Sequence, residues 1–251
     1  MKYTKQNPLR VFEAFAGYGS QSMALQRLHN DYGLPYKVVG ISEIEPNAIN
    51  AYYACHDNEI PNYGDICHIN WGGVDDFDLF TYSFPCTNIS AAGQQAGLTE
   101  GSGTASSLLW ECRKAIAAKR PKYLLMENVK ALLQKKFSQQ FGKWLTELSD
   151  LGYTNFFSVL NSKDFGVAQN RERVFMVSIL DCESDYVFPN GFKLEKRVED
   201  YLQDEEEVSN EFHIDSARVT PSVIKEIFSQ KYVFEQLCEI YHQEWQEANS
   251  N

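Results

Sequence analysis

An α/β fold built around an open sheet is what this sequence predicts, on two observations. The first is an apolar run, Leu9 to Ala16, that passes straight into Gly17-Tyr18-Gly19-Ser20 and then into a helical pattern carrying Met23, Ala24, Leu25 and Leu28. Strand, glycine turn and helix open a nucleotide-binding unit, because glycine lets the backbone turn tightly and approach a ligand beside exposed helix amides. The second is a series of apolar runs that stop at chemically active residues: Lys37 to Ser42 at Glu43, Asp78 to Phe84 at Pro85-Cys86, and Lys122 to Met126 at Glu127-Asn128. In an open parallel sheet, ligands gather beyond the carboxyl ends of the strands, so such residues are placed for binding or chemistry.

Of the 251 residues, 43% are hydrophobic and 14% aromatic, enough for a sizeable core and too apolar for a disordered chain. No stretch is long and apolar enough to cross a membrane, and the first residues lack a signal-peptide core, so a cytoplasmic protein is expected. The cysteines, at 55, 67, 86, 112, 182 and 238, include no Cys-x-x-Cys pair. Scattered in this way, they predict neither a disulfide framework nor a zinc site. The net charge of −11 is uneven: residues 1–197 hold 20 Lys and Arg against 21 Asp and Glu, and residues 198–251 hold 3 against 13. Such a tail lacks the clustered cations that grip a phosphate backbone.

Taken in order, Glu43 and Glu45 follow the second strand about 25 residues past the glycine turn, where an acid in such folds accepts from ribose hydroxyls. A solvated charge at a helix start is the alternative for both. Pro46 suits the first turn of the next helix, which carries Ala48, Ile49 and Tyr52. Tyr63 to Ile66 reads as a short polar turn, which either places Asp65 near a bound base or is a plain turn. The run ending at Cys86 is counted as the fourth strand; alone, a free cysteine there is more often a small buried hydrophobe than a reactive thiol. Ala92 to Ser107, rich in Gly, Ser, Thr and Gln, has the length and composition of a lid over a substrate.

Leu108 to Ala118 reads as a helix, Lys122 to Met126 as a fifth strand, and Phe137 to Leu151 as a helix stopped by Gly152. An alternating strand through Tyr153 to Leu160 and a turn at Asn161 to Val167 lead to Gln169-Asn170-Arg171-Glu172-Arg173, which opens the last strand, Val174 to Leu180. Alternation puts Gln169, Arg171 and Arg173 on one face, suited to an anionic or hydrogen-bonding ligand, or to structural ion pairs with Glu127. Beyond Val187 come a turn at Pro189-Asn190-Gly191, a solvated run from Glu199 to Glu211, and an amphipathic helix starting at Thr220-Pro221. Its apolar stripe is Ile224, Ile227, Phe228, Phe234, Leu237, Tyr241 and Trp245.

Each element alone is weak, but their order is specific. Phe15-Ala16-Gly17-x-Gly19, Ser42-Glu43, Gly64-Asp65-Ile66, Phe84-Pro85-Cys86, Glu127-Asn128-Val129 and Gln169-x-Arg171-x-Arg173 together strongly resemble the cytosine-5 DNA methyltransferase family. The resemblance implies a Rossmann-like sheet dependent on S-adenosylmethionine, with helices on both faces and a short helical C-terminal appendage. Residues 1–190 are then the catalytic domain, and residues 191–251 an acidic linker and amphipathic tail without a complete target-recognition domain. The implied reaction is methyl transfer from S-adenosylmethionine to carbon 5 of a cytosine flipped out of double-stranded DNA.

By the same resemblance, Cys86 is the nucleophile, Glu127 the cytosine-binding acid and Arg173 a second base contact, with Arg171 grouped beside them. Phe15, Gly17 and Gly19 match the cofactor loop, Phe15 lying against the adenine. Glu43 matches the ribose ligand, Ile44, Asp65 and Ile66 the adenine site, and Pro85 the edge of the cofactor pocket. No metal is implied. Thr87 stands where the family usually has Gln, and Ala105 where many members carry Arg at the end of the mobile loop. Complete members continue with a recognition domain and a Gly-Asn-Ser-Val-like segment, neither of which is found here. The expectation is therefore a catalytic subunit of a split enzyme from a restriction-modification setting, with a second protein chain supplying recognition. The alternatives are a truncated member and an inactive cofactor-binding interaction or regulatory protein. A nicotinamide-dependent oxidoreductase would share the glycine turn and Glu43, but leaves Cys86, Glu127 and the arginines unexplained.

Overall fold

Strand β1 (Leu9–Ala14) alternates between two hydrophobic cores, and the sheet is laid out to either side of it. The computed structural model describes residues 3–56, 59–89, 97–202 and 204. Among these the strand order is β2-β1-β3-β4-β6-β5, with β2 at Tyr36–Ser42, β3 at Leu79–Tyr82, β4 at Tyr123–Val129, β5 at Tyr153–Asn161 and β6 at Glu172–Leu180. β1 pairs in parallel with β2 and β3, and β3 with β4. β6 runs antiparallel to both β4 and β5.

The helices are α1 (Ser20–Tyr32), α2 (Pro46–Cys55), α3 (Leu109–Lys119) and α4 (Ser138–Asp150). Parallel neighbours need crossover connections, which lay helices over the sheet. Val11 packs with Leu25 of α1 and Tyr52 of α2 in the smaller core. Phe12 and Ala14 point the other way, into a larger core with Phe80, Met126, Trp110 of α3 and Trp144 of α4. Local signals set the helix limits. α2 carries Pro46 in its first turn, and α1 ends at left-handed Gly33, whose N–H donates to the His29 carbonyl. In α4, Phe141, Trp144 and Leu148 share the buried face.

Several elements differ from the sequence expectation. The strand leading to Cys86 is the third, not the fourth. Between β2 and β3 the described residues hold 3₁₀ turns at Ile66–His68 and Trp71–Gly73 and a single parallel bridge, Ile41 to Asn62. Side chains take over the backbone donors there: Asn62 Oδ1 accepts from Gly64 N at 3.0 Å, and Asp65 Oδ1 from Cys67 N at 2.9 Å. Such bonds compete with a strand ladder. β4 continues through Glu127 and Asn128 to Val129, because antiparallel β6 extends the ladder to Val129 opposite Arg173. The sheet is consequently mixed, with β6 antiparallel to its neighbours. Gln169 and Arg171 precede β6; Arg171 N donates to Asn161 Oδ1 at 3.0 Å, in the turn.

The second half of the expected lid is anchored. Leu98 is buried, its carbonyl accepts from Trp110 Nε1 at 2.6 Å, and Thr104 Oγ1 donates to the Gly97 carbonyl at 3.0 Å. The chain divides into units 1–196 and 197–251. Of the second, residues 197–202 and 204 are described, with a 3₁₀ turn at Val198–Tyr201. The expected tail helix and most of the acidic run lie outside the described residues. No helix among the described residues is long and apolar enough to cross a membrane.

Two glycines separate backbone strain from steric fit. Gly33 has φ 69° and open space around an added Cβ, so Gly33→Ala should cost about 1 kcal/mol. At Gly19, φ 84°, an added Cβ would meet His56 Nε2 at 2.3 Å and Tyr52 at 2.7 Å, so Gly19→Ala should cost at least about 2 kcal/mol. Urea denaturation of the two variants checks the order.

Candidate active site

The carboxyl ends of the parallel strands β1, β2, β3 and β4 share one edge of the sheet, and antiparallel β6 brings its amino end to the same edge. The loop after β1 has left-handed backbone at Phe15, Gly17 and Gly19. Phe15 at φ 57° carries the strain of a side chain in that region. Glu43, just past β2, clamps the loop: its Oε2 accepts from Gly17 N at 2.8 Å, and its Oε1 from Ile44 N at 2.8 Å and Glu45 N at 2.9 Å. Ile44 is 67% exposed, and an added Cβ at Gly17 or Gly64 would face open space. Gly19, by contrast, is required by packing against α2.

Asp65 caps the 3₁₀ turn that follows it, and the Cys67 N–H bond lowers its carboxyl below the usual value. Ile66 is buried in the larger core. It therefore supports this region from beneath and does not face open solvent. Below the loop, buried Glu13 accepts from the hydroxyls of Ser22 at 2.8 Å and Tyr52 at 2.9 Å, joining α1 and α2 to β1. Burial pushes the Glu13 carboxyl up.

Past β3, buried groups hold the backbone around Cys86. Asn128 is 2% exposed; its Nδ2 donates to the Phe84 carbonyl at 2.9 Å, and its Oδ1 accepts from Val129 N at 2.8 Å. Ser106 Oγ donates to the Pro85 carbonyl at 2.7 Å. The Cys86 carbonyl accepts from Ile89 N at 3.0 Å. Cys86 itself is half-buried against the larger core.

Glu127 and Arg173 lie on the face of the sheet opposite that core. Arg173 Nε contacts Glu127 Oε1 at 3.0 Å, with both side chains largely shielded. Burial raises the Glu127 carboxyl, against the opposing pull of Arg173, Arg171 and the Ser83 hydroxyl. Burial and the neighbouring Arg171 lower Arg173, and the Cys86 sulfur lies within its electrostatic reach. The structure thus brings Cys86, Glu127 and Arg173 together, while Arg171 stands exposed outside the strand. Thr87 makes a local bond to Asn88, and Ala105 opens the 3₁₀ turn Ala105–Leu108.

Sequence reasoning missed Ser83, Gln21, Ser106 and Glu13. For Ser83 a signal existed: period-two alternation sends Phe80, Tyr82 and Phe84 to the core and Ser83 to the other face.

The family model described as C-5 cytosine-specific DNA methylase matches residues 9–250. The chain belongs to this family. Among its relatives, type II methyltransferase M2.ScrFI of Lactococcus lactis subsp. cremoris is 42% identical over 268 residues, covering 86% of this chain and 73% of the relative. Orphan methyltransferase M.SssI of Spiroplasma monobiae is 36% identical over 259 residues, covering 79% of this chain and 66% of the relative. Against orphan methyltransferase M.Rho11sI of Bacillus phage rho11s, the chain spans 40% of the relative's length. Among solved structures, Entamoeba histolytica methyltransferase EhMeth aligns with TM-score 0.67 at 18% identity, over 84% of this chain and 64% of that one. The S. pombe Dnmt2 methyltransferase aligns with TM-score 0.60 at 21% identity, over 87% of this chain and 65% of that one. These two show the fold, a Rossmann-like α/β methyltransferase sheet.

The raised Glu127 carboxyl has a consequence for stability. Below the unfolded-state pKa both states hold the proton and burial costs nothing; as pH rises past it, the folded state is penalised for charging the group. Glu127→Gln should therefore stabilise the chain near neutral pH and leave its stability unchanged below about pH 4. Urea denaturation across that range measures the difference.

Proposed function

We propose that this chain transfers the methyl group of S-adenosylmethionine to carbon 5 of cytosine in double-stranded DNA, through a bond between Cys86 Sγ and carbon 6. The observation that carries this is the grouping of a thiol, a raised carboxyl and a partly buried guanidinium at one sheet edge, beside the Phe15 to Gly19 loop. Residues 1–190 act as the catalytic domain.

The residues after β1 and β2 fit the cofactor. The two oxygens of Glu43 offer about four acceptor positions, and the backbone donors of Gly17, Ile44 and Glu45 leave room for a ribose hydroxyl. Exposed Ile44 and partly buried Phe15 offer apolar surface to adenine, with Asp65 at its polar edge, Ile66 beneath and Pro85 on the far side. The open space over Gly17 admits the ligand. When bound, S-adenosylmethionine supplies an electrophilic methyl group on a sulfonium.

Carbon 5 of cytosine is too weak a nucleophile to take that methyl group unaided. The Cys86 thiolate adds to carbon 6, and the ring's electron pair shifts so that carbon 5 becomes part of an enamine. Arg173, flanked by Arg171, places positive charge within electrostatic reach of the Cys86 sulfur. Glu127, whose carboxyl burial pushes up, shares a proton with ring nitrogen 3 as charge arrives there. Arg173 holds the carbonyl oxygen and orients the base. After carbon 5 takes the methyl group, a water molecule takes the carbon 5 proton, that C–H electron pair re-forms the ring double bond as Cys86 leaves as thiolate, and nitrogen 3 returns its proton to Glu127.

Sequence recognition falls to a second protein chain in this proposal, because residues 198–251 hold 3 Lys and Arg against 13 Asp and Glu. The test combines binding and turnover. Glu43→Ala should weaken S-adenosylmethionine binding by about tenfold in calorimetry. Cys86→Ser should lower 5-methylcytosine formation in duplex DNA by at least about a thousandfold while retaining cofactor binding. Sequence-specific methylation by the purified chain alone would remove the second chain. Cofactor binding without methyl transfer, with or without a recognition chain, would instead make the protein a cofactor-binding regulator.

A further inference from the structure

We propose that Ser83 and Gln21 are positioning residues that tie the first turn of α1 to the Glu127 carboxylate through a directional chain of hydrogen bonds. The function of this relay rests on Glu127 being the cytosine-binding acid; its geometry does not. Ser20 Oγ donates to Gln21 Oε1 at 2.9 Å, which engages the carbonyl end of the Gln21 amide. Its nitrogen end then donates to Ser83 Oγ at 2.9 Å. A serine hydroxyl has one hydrogen. With Ser83 Oγ accepting from Gln21, that hydrogen is free for an acceptor, and the proposal assigns it to the Glu127 carboxylate, on which the Ser83 hydroxyl acts to favour the ionised form.

Sheet register explains the meeting. Thr81 pairs with Leu125 and Tyr82 with Met126, so one step further along the same register Ser83 stands beside Glu127. From the other side, β6 delivers Arg173 Nε to Glu127 Oε1 at 3.0 Å. The acid is thereby held between β3 and β6, which fixes its rotamer before any base arrives.

Gln21 gives the relay its second end. It lies in the turn of α1 that directly follows Gly17 and Gly19, so a shift of the cofactor loop reaches Glu127 through neutral side chains. The charged groups facing Glu127 are Arg173 from β6 and Arg171 from the turn before it, and Cys86 faces Arg173 from the loop after β3. Ser83 adds a donor that favours the ionised carboxylate, so it and burial act on the acid in opposite directions.

Carboxyl-carbon NMR titration of the full chain, labelled at glutamate and assigned with Glu127→Gln, tests the relay. Ser83→Ala should raise the Glu127 midpoint by about one pH unit. Ser83→Thr keeps the hydroxyl and should leave the midpoint within about 0.3 units of the parent. Gln21→Leu removes the amide that aims the hydroxyl, and should shift the midpoint the same way by a smaller amount. A midpoint unmoved in Ser83→Ala, or moved equally in Ser83→Thr, would overturn the relay. Should Ser83→Ala fail to fold, an unmoved midpoint in Gln21→Leu would overturn it. The titration needs neither DNA nor cofactor. A chain that transferred no methyl group would overturn the proposed activity and leave this result intact.

Discussion

The antiparallel placement of β6 beside β4 is the constraint on which the site depends. Parallel strands deliver only their carboxyl ends to the binding edge, and these bring Glu43, Cys86 and Glu127. A cation that opens the last strand reaches that edge only if the strand runs the other way. Because β6 does, Arg173 comes opposite Val129 and its guanidinium meets Glu127. Shielded pairs of this kind gain little net stability, since desolvation offsets their attraction. Here burial moves both members toward neutrality, raising Glu127 and lowering Arg173. In the proposed reaction the pair serves chemistry more than folding, as an acid that shares a proton with the base beside a cation that orients it.

The scaffold around Cys86 follows a related logic. Asn128 and Ser106 satisfy the carbonyls of Phe84 and Pro85, so the backbone approaching the thiol is fixed by donors from β4 and from the base of the long loop. Beyond β1 and β2, Glu43 holds the left-handed loop through Gly17 while keeping acceptor capacity. Gly17 and Gly19 share a motif for different reasons. The first faces open space, and the second must let His56 and Tyr52 approach.

Much of this was legible in the sequence, because strand ends and glycine turns leave strong local signals. The runs before Glu43 and Cys86, the turn at Gly17 and Gly19, and the apolar face of α4 all follow from local pattern. What failed depended on distant partners. Glu127 and Asn128 read as residues beyond a strand because they are polar, and only the β6 register shows the strand continuing. The count of strands went wrong where Asn62, Asp65 and Asn70 capture backbone donors within a few residues. Ser83 could be placed by alternation on the face away from the core, but its partner there, Gln21, is 62 residues away in sequence. Arg171 and Arg173 look equivalent by alternation, yet the strand begins between them at Glu172 and it is Arg173 that pairs with the acid.

That Cys86 forms the covalent bond is tested most directly by trapping on a duplex carrying 5-fluorocytosine, since fluorine at carbon 5 cannot leave as a proton and the adduct persists. With S-adenosylmethionine and a recognition chain present, intact-mass spectrometry should show the chain joined to one methylated strand, and peptide mapping should place the bond on Cys86. Methyl transfer to cytosine without such an adduct, or an adduct that persists in Cys86→Ser, would contradict that assignment.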